Sequence, residues 1–167
     1  MRFLLFLLPA FQAVAGLQVV VTNNGTATAS VTAQAQPLSP SFFVFNGGTY
    51  IAAVHLNGTL IGPASLFPGS TTPAKPGETI TLYANGFGPT NVPVVSGSIT
   101  QSGTLSPLPV VTIAGKNATV LFAGLVAPGE FLFNVVVPAS TAAGDQTIAA
   151  TYNKITTQGG TLLTVQH

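Results

Sequence analysis

The sequence predicts an all-β protein built as an antiparallel β-sandwich, and three observations support this. The 167 residues include 18 glycines and 13 prolines, which together with abundant Val and Thr are typical of short strands joined by turns. Turn residues recur at intervals of about 8–12 residues in the second half, as in sandwiches and barrels. No segment has the apolar periodicity of a helix.

The first part of the chain predicts short strands paired as hairpins. An apolar run at 17–22 stops at Asn23-Asn24-Gly25, a turn signal, and residues 28–36 alternate loosely between apolar and polar. Further strands are predicted at 42–45, 50–55 and 59–62. Residues 65–77 contain three prolines and two glycines without a periodic pattern, so they are the predicted linker.

The second part predicts a series of strands that together would form the sandwich. They are expected at 78–83, 108–114, 118–123, 130–137, 146–152 and 161–165, with turn residues between successive strands. A long loop is expected at about 86–107, with a short edge strand at 92–95.

Composition excludes several classes of function. Only 4% of the residues are charged and the net charge is +1, which provides no field for binding nucleic acid or anionic lipid. The chain has no cysteine, so a disulfide framework, a thiolate metal site and a thiol nucleophile are excluded. Neither a metal motif nor a nucleotide-binding motif occurs, and no cofactor is predicted.

The N-terminus has the pattern of a secretory signal peptide. Arg2 precedes an apolar core at 3–11, and Ala13-Val14-Ala15 matches the small-residue pattern of a cleavage site. We expect cleavage after Ala15 and a secreted or cell-surface protein. The alternative is a buried segment of a truncated, larger chain. No later apolar run is long enough to span a bilayer, so no membrane span is expected after cleavage.

Several spaced motifs resemble a known family. The segments PGETITLYANGFG (76–88), VVTIAGKNATVLFAG (110–124) and NVVVPASTAAGDQTIAATY (134–152) resemble the IPT/TIG branch of immunoglobulin-like domains. Together with the lead-in at 50–78, they are most similar to a C-terminal domain family of secreted acidobacterial (Solibacter-type) proteins. The resemblance implies an immunoglobulin-like sandwich at 78–167 and no catalytic residues. Residues 16–64 are then interpreted as hairpins, in part a remnant of an upstream module.

The candidate site residues are assigned to structural turns. Pro76-Gly77 is expected to deliver Glu78 into a strand. Gly86 and Gly88 would allow positive φ on either side of a buried Phe87. The segment at 85–89 lacks the spacing of a phosphate-binding loop. Gly144-Asp145 is expected to form a turn that is fixed by the aspartate side chain.

Three functions are compatible with these features. The first is a non-enzymatic structural or adhesion module outside the cell, in contact with flanking modules or with copies of itself. The second is a carbohydrate-binding module, which would bind surface polysaccharide through exposed aromatic side chains such as Tyr50, Tyr83 and Tyr152. The third is an exported enzyme, which would need His55 close to Asp145 or to a nucleophilic serine.

Overall fold

A computed structural model describes residues 16–34 and 36–167; the predicted signal peptide, 1–15, lies outside the described residues. The chain divides into two compact units, residues 1–37 and 38–167. We describe each unit by itself.

The described part of the first unit is a ribbon of two antiparallel ladders. Strand β1 (Gly16–Val19) pairs with β4 (Val31–Gln34), and β2 (Thr22–Asn23) pairs with β3 (Thr26–Ala27). Asn24 and Gly25 form the two-residue turn, with φ angles of 47° and 79°, as an Asn-Gly hairpin requires. All residues of the four strands are exposed.

The second unit forms a sheet of 12 strands within the described residues. The main path of the sheet runs in the order β15-β14-β11-β12-β13-β9-β6-β7-β8. Three strands lie off this path: β5 pairs with β9, β10 pairs with β12, and β16 pairs with β14. The strands are β5 (Ser41–Phe42), β6 (Ala53–His55), β7 (Leu60–Ile61), β8 (Thr71–Thr72), β9 (Thr79–Asn85), β10 (Gly103–Thr104), β11 (Val110–Ile113), β12 (Lys116–Ala127), β13 (Glu130–Val136), β14 (Gly144–Tyr152), β15 (Ile155–Thr156) and β16 (Leu162–Val165).

One face of this sheet forms the hydrophobic core. In β13 the buried residues alternate with half-buried ones, so that Phe131, Phe133 and Val135 point into the core, as the two-residue period of a strand requires. Phe87 packs among them, with its ring centroid 4.8 Å from that of Phe133. The core lies entirely within residues 38–167.

The sheet is curled, and β16 joins its two ends. This strand pairs with β14 near one end of the main path. Near the other end, Ile51 N–H donates to Leu162 O (3.0 Å) and Ala74 N–H donates to Thr164 O (2.9 Å). Backbone bonds on both sides of β16 therefore hold the curl closed.

The predicted all-β class is confirmed, and the observed architecture is this large curled sheet. The immunoglobulin-like sandwich stays a prediction. The edge strand predicted at 92–95 is wrong, because the short strand in that loop is β10, at Gly103–Thr104. Strand β15 was not predicted.

The domain limits of the structure differ from those of the sequence. The predicted linker, 65–77, contributes β8 and the Ala74 bridge to the sheet. Residues 38–64 contribute β5, β6 and β7, so they share one core with the residues that follow. Residues 38–64 belong to this unit because β5 and β6 both form hydrogen bonds with the same edge of β9.

Candidate functional site

An open groove of about 640 Å³ lies where β6, β8 and the start of β9 meet. Three of the chain's few ionisable residues, His55, Lys75 and Glu78, line it. The groove is lined by His55, Leu56, Asn57, Thr59, Thr72, Pro73, Lys75, Glu78 and Thr79.

Two turns position the side chains of this groove. The turn after β6 is closed by Gly58 N–H, which donates to His55 O (2.8 Å). The turn before β9 is closed by Glu78 N–H, which donates to Lys75 O (3.1 Å), and Gly77 N–H donates to Val137 O (2.8 Å). Gly77 has a φ of 82°, a conformation that glycine adopts without strain.

His55 connects a carboxylate to a hydroxyl across the groove. Its Nδ1 lies 2.5 Å from Glu78 Oε1, and its Nε2 lies 2.9 Å from Thr72 Oγ1. The second oxygen of Glu78, Oε2, accepts a hydrogen bond from Lys75 N–H at 2.9 Å. The side chains of His55 and Glu78 are 14% and 24% exposed, so the pair is partly shielded from water.

The contact with Glu78 favours one tautomer of the neutral imidazole. A carboxylate only accepts hydrogen bonds, so Nδ1 carries the proton and donates it to Glu78. In that tautomer Nε2 accepts a hydrogen bond from the Thr72 hydroxyl at 2.9 Å. The Thr72 carbonyl oxygen also lies 3.3 Å from Nε2, and it can accept a hydrogen bond there when His55 is an imidazolium. The arrangement can move a proton from Thr72 to His55 while Glu78 stabilises the imidazolium that forms.

The predicted turn residues lie at three separate places. Pro76 and Gly77 belong to the turn beside this groove. Gly86 and Gly88, with φ angles of 73° and 78°, flank Phe87, which is fully buried. Gly144 has a φ of 102° and begins β14.

The sequence predicted that the Asp145 side chain fixes its own turn, but the carboxylate bonds to other residues instead. It does not bond to His55. Its Oδ2 accepts a hydrogen bond from the Tyr50 hydroxyl (2.8 Å), and its Oδ1 accepts one from the Thr164 hydroxyl (2.6 Å). It pairs with Thr164 across the β14–β16 ladder, which aims its carboxylate at a neighbouring strand. The hydrogen bond with Asp145 is the main cause that raises the pKa of Tyr50 above its ordinary value.

A second groove of about 440 Å³ lies beside β10 and β12. Its walls include Val92, Val126, Phe122 and Leu125 together with polar groups from residues 91 and 102–104. Val92 and Val126 are 46% and 40% exposed. The groove is therefore largely apolar and open to solvent.

Sequence reasoning did not connect His55, Glu78 and Thr72. Glu78 was interpreted as the start of a strand and Thr72 as part of a linker. One feature of the sequence could have indicated that His55 and Glu78 meet: His55 lies at the end of one strand and Glu78 at the start of another. Only the pairing of β6 with β9, where His55 lies opposite Ile80, brings those two ends together.

Within residues 16–34 and 36–167, no cluster of three or more His, Cys, Asp or Glu side chains has the arrangement of a metal site. Over the same residues, no helix has the length and apolar character needed to cross a membrane. No family model, curated protein or solved structure matches the chain.

Proposed function

We propose that the protein is an exported, non-enzymatic structural or adhesion module that works through contact with other protein modules, including copies of itself. The resemblance to immunoglobulin-like domains of secreted proteins and the predicted signal peptide at 1–15 support export. The second groove supports the contact role.

The observation that carries this proposal is the apolar, uncharged surface around that groove. Val92 and Val126 are exposed on its walls, and the same loop exposes Val94, Val95 and Ile99, the last to 89%. Residues 79–115 contain no Asp, Glu, Lys or Arg. Exposed apolar surface of this kind marks sites of protein contact, and the absence of charge removes a desolvation penalty.

Low net charge favours the same role. After cleavage behind Ala15, the positive charges of three lysines would balance the negative charges of three carboxylates. Long-range repulsion between copies would then be negligible. Short-range apolar contact would then decide whether chains associate.

Light scattering on the secreted protein tests the contact role. We expect the protein to self-associate as its concentration rises. The double variant Val92→Asp/Val126→Asp should weaken that association, because it places two like charges on each contact surface. Leu56→Asp is the matched control, since Leu56 is 70% exposed but lines the other groove.

A protein that stays monomeric at high concentration and binds no flanking module would contradict the contact role. Selective retention on a glycan array would favour the carbohydrate-binding alternative instead. N-terminal sequencing of the exported protein tests the other half of the proposal, and we expect the sequence to begin at Gly16. An intact Met1 would contradict it.

A further inference from the structure

We propose that Thr72 is a nucleophile, activated by His55 and oriented through Glu78, and that the 640 Å³ groove accepts an acyl group from a carboxylic ester. The product is an ester on the Thr72 side chain. This site lies apart from the contact surface proposed above. The acylation is a single covalent modification of each chain, so it is compatible with a non-enzymatic module.

The geometry that points to this chemistry is a continuous chain of three groups. Thr72 Oγ1 lies 2.9 Å from His55 Nε2, and His55 Nδ1 lies 2.5 Å from Glu78 Oε1. A nucleophile, a base and a group that orients the base, each within hydrogen-bond reach of the next, are the signature of an activated nucleophile. The three residues come from β8, from β6 and from the turn before β9, so sheet pairing holds them in register.

Hydrogen bonds to backbone groups outside this series of three residues also hold Glu78 and Thr72 in place. Glu78 Oε2 is held by Lys75 N–H, and Thr72 O accepts Gly62 N–H at 3.2 Å. The carboxylate and the strand that bears the hydroxyl are therefore both anchored to backbone. Thr72 is exposed to the groove, so a carbonyl carbon can approach its oxygen.

The step balances without any further reagent. Thr72 Oγ1 attacks the carbonyl carbon of the ester while His55 Nε2 takes the hydroxyl proton, and the carbonyl electron pair moves onto oxygen. When that pair returns, the bond from carbon to the leaving oxygen breaks. His55 gives its proton to the leaving alcohol and becomes neutral again, and Glu78 stays ionised throughout.

The residues that line the groove indicate which class of acyl donor it would accept. Lys75 lines the groove, and within the described residues it is in no ion pair, so we expect its ammonium to be available to the developing oxyanion. A single cation beside the Glu78 carboxylate does not suit a phosphate, which carries more charge. Leu56 and Pro73 provide apolar wall for an acyl chain.

The experiment uses p-nitrophenyl acetate as the probe and follows the release of p-nitrophenolate and the intact mass of the protein. We expect one acetyl group per chain on the peptide that contains Thr72. Thr72→Val, which keeps the shape and removes the hydroxyl, should abolish this label, and Thr72→Ser should keep it. His55→Gln should slow labelling by about 100-fold or more, the usual contribution of a general base.

Thr119→Val is the matched control, because Thr119 is an exposed threonine on β12 that does not line this groove; its labelling should equal that of the unmodified sequence. Steady turnover that Thr72→Val abolishes, with water releasing the acetyl group, would support Thr72 as the nucleophile and would overturn the non-enzymatic part of the proposed function. A label that persists in Thr72→Val, or no label on Thr72 in the folded protein, would overturn the proposal. The three residues would then act only as a polar clip between strands.

Discussion

Gly86 is a residue at which the fold leaves no room for a side chain. Its φ is 73°, and a Cβ atom built on it would lie 1.9 Å from the backbone oxygen of Ser39. The close approach exists because Ser39 N–H donates to Gly86 O at 2.9 Å. This bond connects the segment before β5 to the end of β9.

We expect Gly86→Ala to destabilise the protein by more than about 2 kcal/mol, since the left-handed conformation and the backbone clash add together. Gly129→Ala is the control, because Gly129 has a φ of 76° with nothing within 4 Å of the added Cβ. It should cost about 1 kcal/mol from conformation alone. Urea denaturation measures both, and equal losses would show that the contact with Ser39 yields without cost.

Tyr50 gives the stability of the protein a dependence on alkaline pH. Its hydroxyl donates to Asp145, and this bond raises the pKa of the phenol in the folded state above the value of about 10 found in unfolded chains. A raised pKa means that the folded state holds the proton more tightly. The stabilising contribution is therefore complete below about pH 10 and is lost as the pH rises through the folded-state pKa.

Denaturation midpoints of the protein and of Tyr50→Phe across alkaline pH test this linkage. We expect the protein to be the more stable of the two at neutral pH, and the difference to shrink above about pH 10. A difference that stays constant through that range would show that the bond to Asp145 does not contribute to stability.

Among the elements, the hairpin of β14 and β15 is closed by a turn without glycine. Asn153 and Lys154 have φ angles of 47° and 68° and connect Tyr152 to Ile155. Two-residue hairpin turns of this kind prefer Asn-Gly, because a side chain in the left-handed conformation is strained.

Lys154→Gly should therefore stabilise the protein by about 0.5–1 kcal/mol, through relief of that strain. Lys154→Ala removes the same charge but keeps a Cβ atom, so we expect little change from it. Thermal denaturation of the two variants separates the causes. A loss of stability in Lys154→Gly would mean that the entropy of the added glycine outweighs the strain.

The sequence predicted most strands because their signals are local. Buried and half-buried residues alternate in β13, and Gly129 marks the turn between β12 and β13. Strand β15 escaped prediction because Asn153-Lys154 lacks the glycine that marks such a turn. Strand β8 escaped because a two-residue strand among prolines has no period to detect.

The candidate site was less predictable than the fold for a related reason. His55 and Thr72 lie on β6 and β8, which are not adjacent in the sheet, and the intervening strand β7 pairs with β8 in parallel. No local pattern specifies such pairing across a proline-rich segment. The positive φ of Gly86 and the burial of Phe87, in contrast, follow from the residue types themselves, because glycine adopts positive φ without strain and a phenyl ring buries a large apolar area.

At the scale of the whole molecule, the two units differ in how they bury apolar surface. All buried hydrophobic residues of the core lie at Leu38 or beyond. In the first unit Leu17, Val19, Val21 and Val31 are each at least 47% exposed. A two-stranded ribbon of that kind is marginal in water.

Removal of residues 16–37 from the mature protein should leave the curled sheet folded with little change in its melting temperature. It should also weaken self-association, because it removes exposed valines and unpaired strand edges. Calorimetry and light scattering measure the two effects. Unfolding of the shortened protein would show that the ribbon supports the sheet.

The position of β16 also sets when this protein can finish folding. Ile51 and Ala74 bond to a strand that follows them by about 90 residues or more, so their partners are synthesised well after them. Contacts between distant parts of a chain form slowly, in milliseconds to seconds for β proteins of this kind. Until β16 is synthesised, the backbone N–H groups of Ile51 and Ala74 lack the hydrogen-bond partners that this strand provides. A nascent chain with such a delay is open to proteases and to aggregation.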